Sequence, residues 1–490
     1  MKFLKLALWL PAVVNFWIFS RFTVDDSFIT WRYGFNLVHH GIWNYNPSTF
    51  DPTQAYTNPV FAVLSIIPAL LGINVVLFFK LLALLVGVSF IYSVVKVRPD
   101  SEVWLALFFA VPATIIHLFS GLETFVFVAG LFAVFVAVLE RNIRFALIAT
   151  SLVFLTRPEG WLLLVLVPVF LAIDGRRFNL KLALRLFAIL AVVLVIYFAI
   201  TFSMFGQILP NTFYVKSGKD FLWWRFWPLL WELALLLPLA ALRSWRIIGM
   251  AVAFAAPVIY NYSTSTLAMD FASRYAFHLY APFALLVIYV CGSRENRELI
   301  FARLKFIPGV RAFVTVGILA VSVGFAYATF ASNLQSYETY YPRLLNAHGL
   351  VGEYAGKLYR AGEIHAMSIS DAGLAPYLAD ISNLDTFHLG THLGAVEGTT
   401  QALVKSYGVD FAALSQTNNA AIPVKLYLQS RGFKEICPVY LNPTYLLSIW
   451  QKVTTKDALR VCENSRKANA IDDSEYFSKN ITVAPWSYWR

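Results

Sequence analysis

The sequence predicts a polytopic α-helical membrane protein of about eleven transmembrane helices, followed by a soluble α/β region. Three observations carry that prediction. Of the 490 residues, 59% are hydrophobic and only 14% are charged, where a soluble chain carries about 25% charged residues. Apolar runs near the bilayer-crossing length of about 20 residues recur through the first two thirds of the chain. From residue 331 onward the pattern changes to short strand-like and helix-like pieces.

The apolar segments fall near 3–20, 74–96, 101–118, 121–139, 144–156, 160–173, 181–204, 226–242, 247–262, 276–292 and 310–330. The first follows a positive start, Met1-Lys2-Phe3-Leu4-Lys5. No small-residue cleavage site follows it, so it is read as an uncleaved first helix rather than a removed signal. The run 59–72 is shorter and reads as an interfacial or re-entrant piece.

An odd number of crossings puts the termini on opposite sides, and loop charges set which side is which. With the N-terminus cytoplasmic, the inner connections hold Lys96, Arg98, Arg141, Arg144, Arg176, Arg177, Lys181 and Arg185. They continue with Arg243, Arg246, Arg294, Arg297, Arg303, Lys305 and Arg311. The outer connections hold fewer: Arg21, Arg32, Arg157, Lys216, Lys219, Arg225 and Arg274. Basic residues accumulate on the cytoplasmic side of short loops. Residues 1–330 thus form a transmembrane region whose first external loop spans 22–58, and residues 331–490 lie outside the cytoplasm.

In that outer region "EIHAMSIS", "ISNLDTFH", "YGVDFAALS" and "VYLNPTYLLSIW" read as strands or β-like runs. "DAGLAPYLA" reads as a turn into a short helix, and "AIPVKLYLQSRGF" as a helix stopped at glycine. The segment after about 465 is polar and reads as irregular. Cys291 lies in an apolar run, whereas Cys437 and Cys462 lie in the polar region and are free to pair if it is extracytoplasmic; spacing alone leaves that open. The net charge of +11 belongs to the short loops and is not a nucleic-acid signature. No Walker loop, dinucleotide fingerprint or zinc spacing occurs.

The unusual polar residues gather on one side of this topology. "TVDDSFITWRYG", "SGLETFVF", "TRPEGW", "GQILPNTFYVKSGKD" and "DFASRYAFHLYAPF" all fall at external ends of helices. They bring carboxylates (Asp25, Asp26, Glu123, Glu159, Asp270) and cations (Arg157, Lys216, Arg274) among aromatic residues. Ionisable groups at a membrane boundary line cavities or pathways. A carboxylate beside a dry hydroxyl acts as general base, and fixed cations stabilise charge on a departing phosphate. Together with aromatic faces for sugar rings, the set points to sugar transfer from a lipid-linked phosphate.

Each residue also has a plainer reading. Asp25–Asp26 serves as a solvated helix exit or N-cap, Arg157–Glu159 as a surface pair, and Glu123 as a helix cap. Lys216 and Lys219 are placed to snorkel to headgroups, and Arg274 and His278 to pack structurally. His39 and His40 lack metal-like spacing, and Asp371, Asp385 and His388 match no motif; turn chemistry accounts for Asp371.

The motifs "DDSFITWRYGFNL", "SGLET", "TRPEG" and "LPNTFYVK" resemble the GT-C class of membrane glycosyltransferases. Within it they are most similar to bacterial, mycobacterial-type terminal arabinofuranosyltransferases that use a polyprenyl-phosphoryl arabinose donor. The resemblance covers roughly residues 1–290. It implies a donor drawn from the outer leaflet, no nucleotide sugar, and a catalytic base among the first-loop acids, Asp25 or Asp26. Arg157, Lys216 and Arg274 are expected to hold the donor phosphate. Glu123, Glu159, Asn211, Tyr214, Trp31 and Arg32 are expected to contact substrate. No cofactor is assigned, and a divalent cation is left as an option. The acceptor is a glycan, lipid or protein of the cell envelope, and the chain is expected in the inner membrane with its site extracytoplasmic. The rivals are a lipid-linked glycan transporter or flippase, an O-antigen-type polymerase or ligase, and an inactive scaffold. Nearly charge-free mid-spans disfavour transport.

Overall fold

The computed structural model describes residues 7–175, 177–216, 220–266, 269–303, 334–393, 400–416, 419–442 and 445–469. Helix dominates up to residue 303, and a five-stranded sheet with flanking helices follows from residue 334.

Among the described residues, three helices are long and apolar enough to cross a bilayer: Val75–Val97, Leu180–Phe205 and Phe271–Cys291. Pro99–Phe109 and Pro112–Phe119 make a fourth if counted as one span, although they meet at 84°. Pro112 accounts for the break, because proline disfavours helix at the residue before it and cannot donate to the preceding turn. Leu10–Phe19, Thr124–Leu139, Ile143–Phe154 and Pro158–Ala172 are apolar but shorter. The expected span 226–242 is divided into Trp223–Trp231, a tight turn Glu232–Leu236 and Leu237–Ala241. The expected span 310–330 lies outside the described residues. A few apolar helices thus suit a membrane, while a layout of eleven crossings goes beyond these helices.

The outer faces of Val75–Val97 and Leu180–Phe205 are apolar and uncovered, with 22% and 17% of their most apolar stretches buried. Such faces suit lipid rather than water. Phe271–Cys291 is different: 72% of it is buried, so it forms the axis of the bundle. Its core partners include Phe108, Phe127, Leu131, Phe135 and Phe254.

The sheet holds β1 (Ala366–Ile369), β2 (Ser382–Asp385), β3 (Phe411–Ser415), β4 (Lys434–Asn442) and β5 (Tyr445–Gln451), in the order β2-β1-β3-β5-β4. The pairs β1–β2 and β1–β3 are parallel; β3–β5 and β4–β5 are antiparallel. The run "VYLNPTYLLSIW" therefore spans parts of two strands. Helix Ile422–Ser430 ends before Gly432, whose φ of 82° provides the left-handed stop. Helix Lys456–Ala468, capped by Thr455, extends past the point where the sequence suggests irregularity. Cys437 of β4 is disulfide-bonded to Cys462 of this helix.

The sheet region is not an appendage. One hydrophobic core joins Phe28, Trp31, Phe61 and Phe79 to Leu344, Val351, Met367, Leu374 and Val439. Polar bonds stitch the same seam: Arg32 donates to the Ile381 carbonyl and lies 4.8 Å from the Tyr45 ring centre. Tyr45 Oη donates to the Ala372 carbonyl at 2.7 Å.

Candidate active site

The segment after the first apolar helix turns at Asp25 into helix Asp26–His40. Consecutive residues on a helix point about 100° apart, and the two acids part company accordingly. Asp26 faces a cavity of about 380 Å³. Asp25 faces the sheet region, where its carboxylate accepts from the Gly373 and Leu374 amides at 3.0 and 2.8 Å.

The cavity gathers residues from all five polar motifs: Asp26, Glu123, Arg157, Glu159, Lys216 and Arg274. Pro158 keeps Arg157 extended (φ −154°, ψ 147°), which lays its guanidinium along two carboxylates. Nε and Nη2 donate to Glu159 at 3.1 and 2.9 Å, and Nη1 donates to Glu123 at 2.6 Å. Arg274 Nη2 also donates to Glu123, at 3.0 Å, and its Nε donates to Thr124 Oγ1. Ala272 and Ser273 precede it with φ of 47° and 52°, a left-handed region that costs non-glycine residues free energy and recurs at functional sites. His117 Nε2 meets the Ala272 carbonyl at 3.0 Å, and Tyr337 Oη accepts from the Ala272 amide at 2.8 Å. That scaffold holds the turn which delivers Arg274.

Charge bookkeeping separates these groups into two sets. Glu123 and Glu159 satisfy Arg157 and Arg274, with Asn58 Nδ2 donating to Glu123 at 2.5 Å and Tyr262 Oη to Glu159 at 3.0 Å. Breaking one member of such a buried network costs about 3–5 kcal/mol, so these arginines are structural pillars before they are ligands. Asp26 and Lys216 stand apart: among the described residues neither makes a side-chain hydrogen bond or ion pair, though each feels the other's charge. Burial raises the Asp26 pKa against the opposing pull of Lys216 and Arg274. Burial lowers that of Lys216, opposed by Asp26. The cavity's other flank is apolar, with Phe154, Leu162, Phe198 and Ile208.

Several expected contacts lie elsewhere, each for a visible reason. Asp25 is committed to backbone amides. Trp31 is buried against Phe79, stacked at 4.8 Å. Arg32 is spent on the Ile381 carbonyl, while Tyr214 is 47% exposed and does not line the cavity. The Asn211 amide points at the carbonyls of His388, Leu389 and Thr391. Conversely, Tyr56, Asn58, Asn261, Tyr262, Tyr275 and Leu389 line the cavity without having been singled out. They are neutral, so the pattern of charges along the chain does not mark them. No group of three or more His, Cys, Asp and Glu suited to a metal occurs among the described residues.

Asp25 belongs to a second polar cluster inside the seam. His348 Nε2 lies 2.6 Å from Asp371 Oδ2, and Tyr445 Oη donates to Asp371 at 2.7 Å. Burial raises the Asp25 pKa to about 7, helped by Asp371 and Asp26 and opposed by His348 and the Leu374 amide. Burial alone would lower His348, but the Asp371 hydrogen bond and charge, with Asp25, outweigh it and raise its pKa. Both groups bind protons more tightly folded than unfolded. Their contribution to stability is full at acid pH and is lost as pH rises through about 7 for Asp25 and through the raised value for His348. The melting midpoint is therefore expected to fall as pH rises from the ordinary aspartate range through about 7, with a smaller slope in Asp25→Asn. Melting curves of both proteins across that window check this; equal slopes would refute it.

No protein-family model, curated protein or solved structure matches this chain.

Proposed function

We propose that this chain is a GT-C-type membrane glycosyltransferase. It moves a sugar, with D-arabinofuranose the first candidate from the motif resemblance, from a polyprenyl-phosphate donor to a hydroxyl of a cell-envelope glycan, lipid or protein. The observation that carries this reading is the pairing of Asp26 and Lys216, each without an ion-pair partner among the described residues, in one cavity with an apolar flank. The prenyl chain lies along Phe154, Leu162 and Phe198, the last on a helix whose surface is largely uncovered. Asp26 accepts the proton of the acceptor hydroxyl, whose oxygen attacks the anomeric carbon. The bond from that carbon to the phosphate oxygen breaks, and the polyprenyl phosphate departs against the Lys216 ammonium. Arg274 and Arg157, already neutralised by glutamates, form the electrostatic wall behind it.

The same reading puts the N-terminus in the cytoplasm of an inner membrane crossed about eleven times. The cavity and the sheet region then face outward, which fits the Cys437–Cys462 disulfide, since such bonds persist in oxidising compartments.

The test uses the full chain in lipid nanodiscs with a panel of radiolabelled polyprenyl-phosphate sugars and octyl glycoside acceptors. Label is expected to pass from one donor to acceptor. Absence of transfer from every donor overturns the proposal. Lys216→Met is expected to raise the donor KM by about 10- to 100-fold, the worth of one charge-assisted bond. An unchanged donor KM removes the lysine from the phosphate site.

A further inference from the structure

Leu389 is the one residue of the region from 334 onward that lines the cavity, among the described residues. It sits at the tip of the loop that follows β2, and an unusual number of polar bonds fix that tip. The Asp385 carboxylate accepts from the amides of Phe387, Leu389 and Gly390 at 2.9, 2.7 and 3.1 Å. The Asn211 amide binds the Leu389 carbonyl at 3.1 Å from the opposite side. The His392 and Leu393 amides donate to Thr53 Oγ1 and Asp51 Oδ1, both at 3.0 Å. His388 takes a left-handed φ of 59°, so the loop carries strain at the residue before the tip.

What this framework delivers is an apolar side chain that joins none of the hydrophobic core clusters and is only partly buried. A leucine held this firmly yet contributing to no core makes sense as a wall. Its side of the cavity follows from its neighbours. The apolar flank belongs to Ile143–Phe154, Leu162–Ala172 and Leu180–Phe205, along which a prenyl chain stays in lipid. Leu389 arrives instead from the polar sheet region, beside the short helix Asn211–Lys216 that ends in Lys216. On the transferase reading, the acceptor hydroxyl approaches Asp26 from the side of the sheet region.

We propose that Leu389 is a specificity-determining residue: it bounds the acceptor side of the cavity and limits the bulk tolerated next to the attacking hydroxyl. This inference rests on the transferase reading above. Asn211 and Asp385 are then positioning residues, acting through the loop rather than on the substrate.

The experiment measures kcat/KM in nanodiscs for two acceptors with one donor that the wild type uses. The acceptors are an octyl monosaccharide and its derivative carrying a second sugar beside the reacting hydroxyl. The ratio of the two values is independent of the fraction of protein that folds, so a partly folded variant still reports. Leu389→Ala is expected to raise the bulky-to-small ratio by roughly tenfold or more, Leu389→Phe to lower it comparably, and Leu389→Met to leave it near wild type. Equal ratios in all four proteins overturn the role of Leu389 and leave the transferase standing. A change in donor preference with an unchanged acceptor ratio overturns it as well. If the wild type transfers from no donor, the transferase reading fails and this inference goes with it.

Discussion

Asp26→Asn is expected to lower kcat by about 10²- to 10⁴-fold, the usual worth of a positioned general base, with little change in donor KM. Asparagine keeps the size of the side chain and cannot take a proton. Asp26 has no hydrogen-bond or ion-pair partner among the described residues, so the substitution breaks no bond; it removes the charge that opposes the burial of Lys216, and the melting midpoint is expected to fall only slightly. Asp25→Asn is the matched control: it alters the same motif one residue away, on the side turned to the sheet region, and is expected to keep most of the transfer rate. The pH profile supplies an independent reading. Transfer needs Asp26 deprotonated and Lys216 protonated. Burial raises the first pKa and lowers the second, so the profile is a bell whose acid limb lies above the ordinary carboxylate range. Its alkaline limb lies below the ordinary lysine range. Full activity in Asp26→Asn, or loss in Asp25→Asn with Asp26→Asn active, would sink the assignment. Transfer kinetics of the two variants decide it.

The clustering of charge was legible in the sequence because each motif is local, and loop charge predicts which ends of helices share a side. Which charges neutralise one another was not, since Arg157 reaches Glu123 across 34 positions and Arg274 reaches it across 151. Those distances are set by packing around Phe271–Cys291. The division of labour between Asp25 and Asp26 turns on a rotation of about 100° per residue, and on what lies at each face. The face opposite Asp25 is built by Gly373 and Leu374, 348 and 349 positions away. Leu389 is the extreme case: an ordinary leucine in a polar stretch becomes a cavity wall only once Asp385, Asn211 and Thr53 have fixed its loop. Strand pieces were readable from alternation and β-branching, whereas span number was blurred wherever prolines divide apolar runs.

Gly373→Ala is expected to part the seam between the first loop and the sheet region, a larger structural effect than either aspartate substitution. A Cβ at this position would lie 2.1 Å from the Asp25 carbonyl oxygen and 2.4 Å from its Oδ2. Neither atom can retreat cheaply. The carbonyl accepts the Phe28 amide at 3.0 Å at the start of helix Asp26–His40, and the carboxylate is held by the amides of Gly373 and Leu374 themselves. Relief therefore requires the turn at 371–374 to move away from Asp25, which loses both amide bonds. A hydrogen bond contributes about 0.5–1.5 kcal/mol net, and a buried donor left unpaired costs about 1–3 kcal/mol, so the seam loses several kcal/mol. Displacing this turn also disturbs Asp371, the partner of His348 and Tyr445, and loosens the docking from which the loop of Leu389 is hung. The expected result is a sharp fall in melting midpoint, faster proteolysis, and loss of transfer although every cavity residue is intact. Asp25→Ala in the same background separates collision from chemistry. It removes Oδ2 but leaves the carbonyl oxygen at 2.1 Å, so it should rescue little; near-complete rescue would mean that the side chain, not the backbone approach, is what requires glycine at position 373.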